Sequence, residues 1–265
     1  MADYSKFEKV LAKQDGKLLT MTLNRPHALN SVGDGMHEDL VGIFKLATED
    51  DSVGAILLRG EGRAFCAGGD INEMGSQVMT PPLRVKSTFN SKDLLYTMFD
   101  VPQPIICAVQ GYAMGLGATI ALFCDIVIAA EDAVFADTHV HVGLVAGDGG
   151  AVLWPLLLPF GVAKYHLLTG DRLSGADAAR NGMIAKAVPA DKLLEEATAV
   201  AQRLADGATL ALQWTKTACN QVLRERMNLV LDIGLALEGA TFLSEDFREA
   251  STAFGEKRKP EFKGR

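Results

Sequence analysis

The feature that most limits how this chain folds is a pair of glycine-rich breaks, Gly62-Arg-Ala-Phe-Cys-Ala-Gly-Gly-Asp-Ile71 and Gly111-Tyr-Ala-Met-Gly-Leu-Gly-Ala-Thr-Ile-Ala-Leu-Phe-Cys-Asp125. Each follows an apolar, strand-like run, and small residues interrupt the run before a helical pattern resumes. That local geometry leaves backbone N–H groups unpaired and pointing into a cavity. Two such amides aimed at one point bind an oxygen that gains negative charge, so the breaks predict an oxyanion hole.

Strand and helix signals alternate around these breaks. Leu18–Leu23 reads as a strand ended by Asn24-Arg-Pro26, residues 32–47 have helical apolar spacing, and 53–59 form a buried strand that enters the first break. Residues 88–99 read as helix and stop before Val101-Pro-Gln-Pro104; Ile105–Val109 is the buried strand that enters the second. Helix follows at 118–123, then strands at Ile126–Ala130 and 133–135. Beyond Gly147 the texture changes to a helix pair over 150–169, a capped helix over 174–180, a strand over 184–188, and helix from Asp191 to about Phe254. The expectation is an α/β core with a helical C-terminal region and a soft boundary at 189–206.

Composition narrows the function classes. A chain of 265 residues, 48% apolar and without low-complexity stretches, buries a full core. Its net charge of -7 argues against a nucleic-acid partner. Lys257, Arg258, Lys259, Lys263 and Arg265 form a basic tail that reads either as a solvated end or as an anion contact. Cys66, Cys107, Cys124 and Cys219 make no Cys-x-x-Cys pair, which argues against disulfides and a zinc knuckle and fits a reducing compartment. No signal-like apolar core opens the chain, and its apolar runs are too short or too broken by Pro155 and Pro159 to span a bilayer, so a soluble cytoplasmic protein with no membrane partner is expected. Dinucleotide, phosphate-loop and Gly-x-Ser-x-Gly patterns are absent or incomplete.

Leu23-Asn-Arg-Pro-His-Ala-Leu-Asn30, Gly62 to Ile71, Pro104 to Asp125, Leu168-Thr-Gly-Asp171, Ala178-Ala-Arg-Asn-Gly-Met183 and Phe254-Gly-Glu-Lys-Arg-Lys-Pro-Glu-Phe262 together resemble the enoyl-CoA hydratase/isomerase, or crotonase, superfamily. The resemblance covers nearly the whole chain, in the family's order. It implies a crotonase-like α/β spiral of ββα units with two roughly perpendicular sheets over residues 1–200. A helical region over 201–265 would cover the active site and assemble homotrimers or hexamers. It also implies a coenzyme A thioester as substrate and no separate cofactor.

Carried over by position, the resemblance makes the amides of Gly69 and Leu116 the oxyanion donors. Leu116 stands where the family usually has glycine; the donor survives, because only proline lacks an N–H. Arg25, His27 and Ala28 would flank the CoA chain. Ala67 and the bend Gly69, Asp70, Ile71 and Asn72 would line the ligand, adenine packing at the bend. Lys257 and Arg258 would approach CoA phosphates, on the same or a neighbouring subunit. Where a hydratase of this family carries two glutamates, this sequence has Thr119 and His139.

Threonine is no base near neutral pH, whereas histidine, with an unperturbed pKa of ~6.5, gives or takes a proton. Acid/base chemistry therefore falls chiefly to His139. Asp137, Thr138, His141 and Asp148 lie beside it in Ala136-Asp-Thr-His-Val-His-Val-Gly-Leu-Val-Ala-Gly-Asp-Gly-Gly150. If that segment is extended, Asp137, His139 and His141 share a face. Asp137 or Asp148 would then orient the imidazole or supply a carboxylate, and Asp148 also suits a turn. A metal site on His139 and His141 is set aside for want of further ligands at fixed spacing. Three functions follow: a lyase or isomerase acting through a thioester enolate, a thioester or carbon–carbon hydrolase, and a non-catalytic acyl-CoA-binding protein. The acyl pocket is expected from 74–92, 154–165 and C-terminal residues.

Overall fold

The computed structural model describes residues 2–76 and 80–265, apart from the side chains of Asn72, of residues 75–76 and of residues 81–89. The chain opens with a hairpin that sequence reading catches only in half. Strand β1 (Val10–Asp15) pairs antiparallel with β2 (Leu18–Leu23). β1 alternates between buried and exposed positions, with Lys13 and Asp15 facing out, the mark of an edge strand and a weak sequence signal. Helix α1 (Met36–Thr48) starts later than its periodicity suggests, because Asp34 and Gly35 are left-handed and Val32 bridges to Gly69.

From there the sheet grows by parallel addition. β3 (Ala55–Gly60), β4 (Ile105–Val109), β6 (Ile126–Ala130) and β9 (Lys186–Val188) extend it to six strands in the order β1-β2-β3-β4-β6-β9. β3 and β4 are almost wholly buried, as parallel strands covered on both faces must be. A second sheet of three short strands, in the order β5-β7-β8, comprises β5 (Tyr112–Met114), β7 (Val134–Ala136) and β8 (Leu173–Ser174). The chain passes from the first sheet to the second at Gly111, immediately after β4. The glycine break is thus a change of sheet as well as a turn.

Between strands lie α2 (Ile71–Ser76), α3 (Pro81–Asp100), α4 (Leu116–Phe123), α5 (Gly150–Leu157), α6 (Phe160–Thr169) and α7 (Gly175–Arg180). Ser174 caps α7 by accepting the Asp177 N–H at 3.0 Å. The C-terminal helices are α8 (Leu193–Ala205), α9 (Thr209–Thr241) and α10 (Glu245–Gly255). Residue 200 lies inside α8, which packs on β2, β3, β4 and β6; the helix that departs from the sheet is α9, packed on α3 and α5. No single described helix is long and apolar enough to cross a membrane.

Candidate functional site

The first glycine break is held open by a buried asparagine. Asn30 accepts the Arg25 N–H at 2.8 Å and donates to the carbonyls of Glu61 and Ala64, each at 2.9 Å, so the loop after β3 has one path. At its end Gly68 takes φ +95, and an added Cβ would lie 2.7 Å from the Met114 carbonyl oxygen, so both conformation and space demand glycine. Val32 then pairs with the residues on either side of Gly69. Its N–H donates to Gly68 O at 2.8 Å, and its carbonyl accepts the Asp70 N–H at 3.1 Å. The Gly69 amide faces away from this bridge, with no acceptor among the described residues.

The second break supplies a matching amide. Gly115, at φ 49 and ψ −122, turns the chain directly into α4, where Leu116 is the first residue and has no side-chain cap. A first-turn amide has no partner within its own helix, and none is present for Leu116 among the described residues. The two breaks are tied side by side: Cys66 N–H donates to Tyr112 O at 2.9 Å and Met114 N–H to Cys66 O at 3.0 Å. α4 sits so close to this strand that a Cβ on Gly117 would be 2.3 Å from the Cys66 carbonyl oxygen. Gly69 and Leu116 therefore line one cavity of about 130 Å³ together. Leucine at 116 is accommodated without a left-handed backbone, its side chain partly buried against the core. Burial pushes the neighbouring Cys66 thiol up to about 12, which leaves it no part as a nucleophile.

The loop after β7 brings the titratable groups. It is not extended: residues His139–Val142 form a 3-10 turn closed by left-handed Gly143, whose N–H reaches Val140 O. Asp137, His139 and His141 consequently do not share a face. His139 turns to the cavity, while His141 turns away and bonds the Thr169 carbonyl through Nε2 at 2.8 Å. Among the described residues no group of three or more His, Cys, Asp or Glu side chains could hold a metal ion.

His139 is clasped between two carboxylates. Nδ1 lies 2.7 Å from Asp137 Oδ1, and Nε2 lies 3.2 Å from Asp148 Oδ2. Asp148 in turn accepts the Thr119 hydroxyl at 3.3 Å through Oδ1. Asp148 and His139 line the cavity; Asp137 is fully buried behind them. Burial by itself would lower the pKa of His139, but the Asp148 and Asp137 carboxylates outweigh it and hold the group well above its ordinary value of ~6.5. The imidazole is thereby kept as imidazolium, donating from both nitrogens. Asp148 owes its place to its glycine neighbours. A Cβ on Gly149 would come within 2.5 Å of Thr119 Cγ2, and one on Gly150 within 2.0 Å of Asp137 Oδ2, so the aspartate is fixed in a close-packed corner and is more than a turn residue.

Of the other residues singled out by sequence, Ala67 and Ile71 line the cavity. Arg25 and Asp70 sit just outside it as a partly buried pair at 3.2 Å, with Arg25 Nη1 also donating to Ser31 O. His27 and Ala28 lie on a short 3-10 turn, His27 exposed. The Asn72 side chain is outside the described residues. Lys257 and Arg258 stand at the far end of α10, off the cavity, and Arg258 is engaged by Glu249 and Glu256. Thr119 is buried behind Asp148 and does not line the cavity. Residues 154–165 are also absent from its wall; Trp154 is fully buried and packs on His166 with ring centroids 5.6 Å apart.

Thr138 lines the cavity beside His139, and Met74 and Ser91 come from the expected 74–92 stretch; sequence reading did not single out Val142 and Leu144 on the loop, and covered Glu238 and Phe242, near the end of α9, only as unspecified C-terminal residues. Glu238 had a signal: it continues the buried stripe Met227, Leu231, Leu235 at helical spacing, where a charged residue stands out.

The family model for enoyl-CoA hydratase/isomerase matches residues 13–265. Mitochondrial enoyl-CoA hydratase of Pongo abelii is 35% identical over 99% of this chain and 90% of its own length. The 1,2-epoxyphenylacetyl-CoA isomerase of Escherichia coli K12 is 36% identical, over 97% of this chain and 99% of its own. Among solved structures, an enoyl-CoA hydratase/isomerase from Mycobacterium paratuberculosis superposes with a TM-score of 0.88 at 36% identity, covering 92% of this chain and 97% of that one. The mixed α/β architecture with two sheets and C-terminal helices is crotonase-like.

Proposed function

Because the chain belongs to the enoyl-CoA hydratase/isomerase family, we propose that it works on an acyl-CoA through a thioester enolate, holding the thioester oxygen on the amides of Gly69 and Leu116. The observation that carries this reading is the meeting, in one cavity, of two amides without acceptors among the described residues and the Asp148–His139–Asp137 chain. When the proton on the carbon beside the thioester leaves, the carbonyl oxygen takes up negative charge. Two fixed N–H donors then contribute on the order of 3 kcal/mol each to lowering the barrier.

Asp148 is the base in this scheme. Its carboxylate faces the cavity and takes the proton, while the His139 imidazolium balances the charge and Asp137 fixes its Nδ1–H. Return of the proton to another carbon of the same enolate shifts the double bond, and no water is consumed. Isomerisation suits a single linked acid/base chain, with Thr119 serving to orient Asp148. A second reading, thioester hydrolysis, is favoured by the same cavity-facing carboxylate: Asp148 would take the proton of a water that adds to the thioester carbonyl and pass it to the departing CoA thiolate, with the His139 imidazolium holding Asp148 in place. Incubation with a mixed acyl-CoA library in D2O, followed by mass spectrometry, separates them. A double-bond isomer resolved by chromatography, with unchanged skeleton and intact thioester, supports isomerisation whether or not deuterium is gained, free CoA supports hydrolysis, and neither from any acyl-CoA contradicts both.

The C-terminal helices complete the proposal. Glu238 of α9 and Phe242 just beyond it reach the cavity, which supports a covering role for this region. Trp214, Leu229, Ile233 and Leu237 on α9 are exposed apolar residues that support assembly into homotrimers or hexamers. Light scattering showing a monomer at micromolar concentration contradicts the assembly.

A further inference from the structure

One hydroxyl on the cavity wall belongs neither to the amide pair nor to the proton-transfer chain. Thr138 lines the cavity and opens the 3-10 turn His139–Val142. A threonine in that place ordinarily folds its hydroxyl onto the first N–H groups of its own turn. Thr138 makes no such cap. Asp137 supplies the acceptor instead, its Oδ1 taking the His139 N–H at 3.3 Å. The half-buried Thr138 therefore keeps a hydroxyl with no hydrogen-bond partner among the described residues. Its place is marked by Gly115: a Cβ there would have Thr138 Oγ1 at 3.7 Å, with His139 Cε1 at 3.5 Å and Nε2 at 3.9 Å. Gly115 immediately precedes Leu116, so the hydroxyl stands beside the turn that delivers the Leu116 amide, and no side chain of residue 115 comes between them.

A ligand that fills so small a cavity strips water from this hydroxyl. Left without an acceptor, the hydroxyl would weaken binding. On a thioester held at the Leu116 amide, the acceptor beside it is the carbonyl oxygen. As negative charge gathers on that oxygen, the bond from the hydroxyl becomes charge-assisted and strengthens. An interaction stronger in the transition state than in the bound substrate lowers the barrier as well as aiding binding. We infer that the Thr138 hydroxyl is a third donor to the thioester oxygen, beside the amides of Gly69 and Leu116. The inference rests on the thioester reading of this cavity and adds one side chain to a grip otherwise made of main chain. The hydroxyl keeps its proton throughout; the proton from carbon still goes to Asp148.

Infrared difference spectroscopy of butyryl-CoA labelled with ¹³C at the thioester carbonyl reads this bond on the wild-type chain, Thr138→Val and Thr138→Ser. Valine keeps the shape and removes the donor; serine keeps the donor. The stretch, lowered on the wild type relative to water, is expected to rise part of the way back in Thr138→Val and to stay near the wild-type frequency in Thr138→Ser. With the acyl-CoA that the chain turns over, Thr138→Val should lose about 10- to 100-fold in rate, mostly in kcat, the worth of a hydrogen bond to a charged acceptor. The fall in rate as the His139 imidazolium loses its proton should stay at the same pH, because both carboxylate contacts remain. A stretch lowered on the wild type and unchanged in Thr138→Val overturns the inference and leaves the thioester reading intact. So does an alkaline fall that has moved in Thr138→Val, since the substitution then acts by displacing the loop. A wild-type stretch no lower than in water defeats the thioester reading and this inference with it. Should Thr138→Val not fold, Thr138→Ala removes the same donor and is read in the same way.

Discussion

The two working walls of the cavity hold their groups by different means. One is main chain: the Gly69 and Leu116 amides are placed by glycine turns, by hydrogen bonds between the two breaks and by the buried Asn30 that fixes the first loop, and the donors themselves belong to no side chain. The other is side chain: His139 and Asp148 are placed by charge, with Asp137 and Thr119 behind them. A main-chain donor outlasts nearly any substitution at its own position, as leucine at 116 illustrates, and depends instead on small residues around it. A side-chain wall is the reverse, open to exchange residue by residue. In the proposed scheme, the main-chain wall grips the thioester and the second wall sets the reaction run on it.

The comparison breaks most sharply at Asp148. Asp148→Asn keeps the shape and removes the proposed base, and is expected to lower turnover ~10²–10⁴-fold, the range of general acid–base catalysis, with a smaller change in acyl-CoA affinity. Steady-state rates and calorimetry on one thioester check this split. On the main-chain wall the only side chain that deletes the donor is proline. Leu116 is the first residue of α4, a position that accepts proline within a helix, so Leu116→Pro is expected to fold and to lose ~10²–10³-fold in kcat. Circular dichroism beside the rate measurement separates loss of the donor from loss of the fold.

Asp137 sharpens the contrast, because it touches the imidazole from behind and never meets the ligand. Asp137→Asn removes one of the two carboxylates that raise the His139 pKa. In the wild type the raised value keeps the imidazolium through neutral pH, so activity that needs it falls only on the alkaline side. In Asp137→Asn that fall moves to lower pH, which a pH–rate profile records. Stability follows the same sign. The contribution of the His139 imidazolium is complete below the unfolded pKa of ~6.5 and is lost as pH rises through the higher folded value. The stability gap between wild type and His139→Gln, read from urea unfolding, should therefore narrow as pH rises. The smallest effect is at Thr119: its 3.3 Å bond to Asp148 is long, and Thr119→Val is expected to cost only several-fold in turnover.

The same division explains what the sequence made legible. The glycine breaks announce themselves locally, because a backbone that must turn or approach another backbone has to be glycine there, and Gly68, Gly115 and Gly117 are where that need shows. Asp137, His139 and Asp148 were also visible as a cluster, but not their geometry. The two-residue period places His139 and His141 together, whereas Gly143 closes a 3-10 turn that parts them. Which carboxylate meets which nitrogen depends on Gly149 and Gly150 packing against Thr119 and Asp137, contacts between elements distant in sequence. Glu238 stands out as a charge on the stripe Met227, Leu231, Leu235, but its place at the cavity was hidden for the same reason. The stripe marks the glutamate as buried, while only the packing of α9 shows that it meets the cavity. Edge strand β1 was lost in its alternating polarity, and α8 was read with the C-terminal helices although it covers the large sheet.

The grip on the thioester oxygen is tested most directly by isotope-edited infrared difference spectroscopy of butyryl-CoA labelled with ¹³C at the thioester carbonyl. Bound to the wild-type chain, the labelled stretch should move to lower frequency than in water, and Leu116→Pro should return it most of the way. A carbonyl frequency on the protein no lower than in water, or a lowered one that Leu116→Pro leaves in place, contradicts the account.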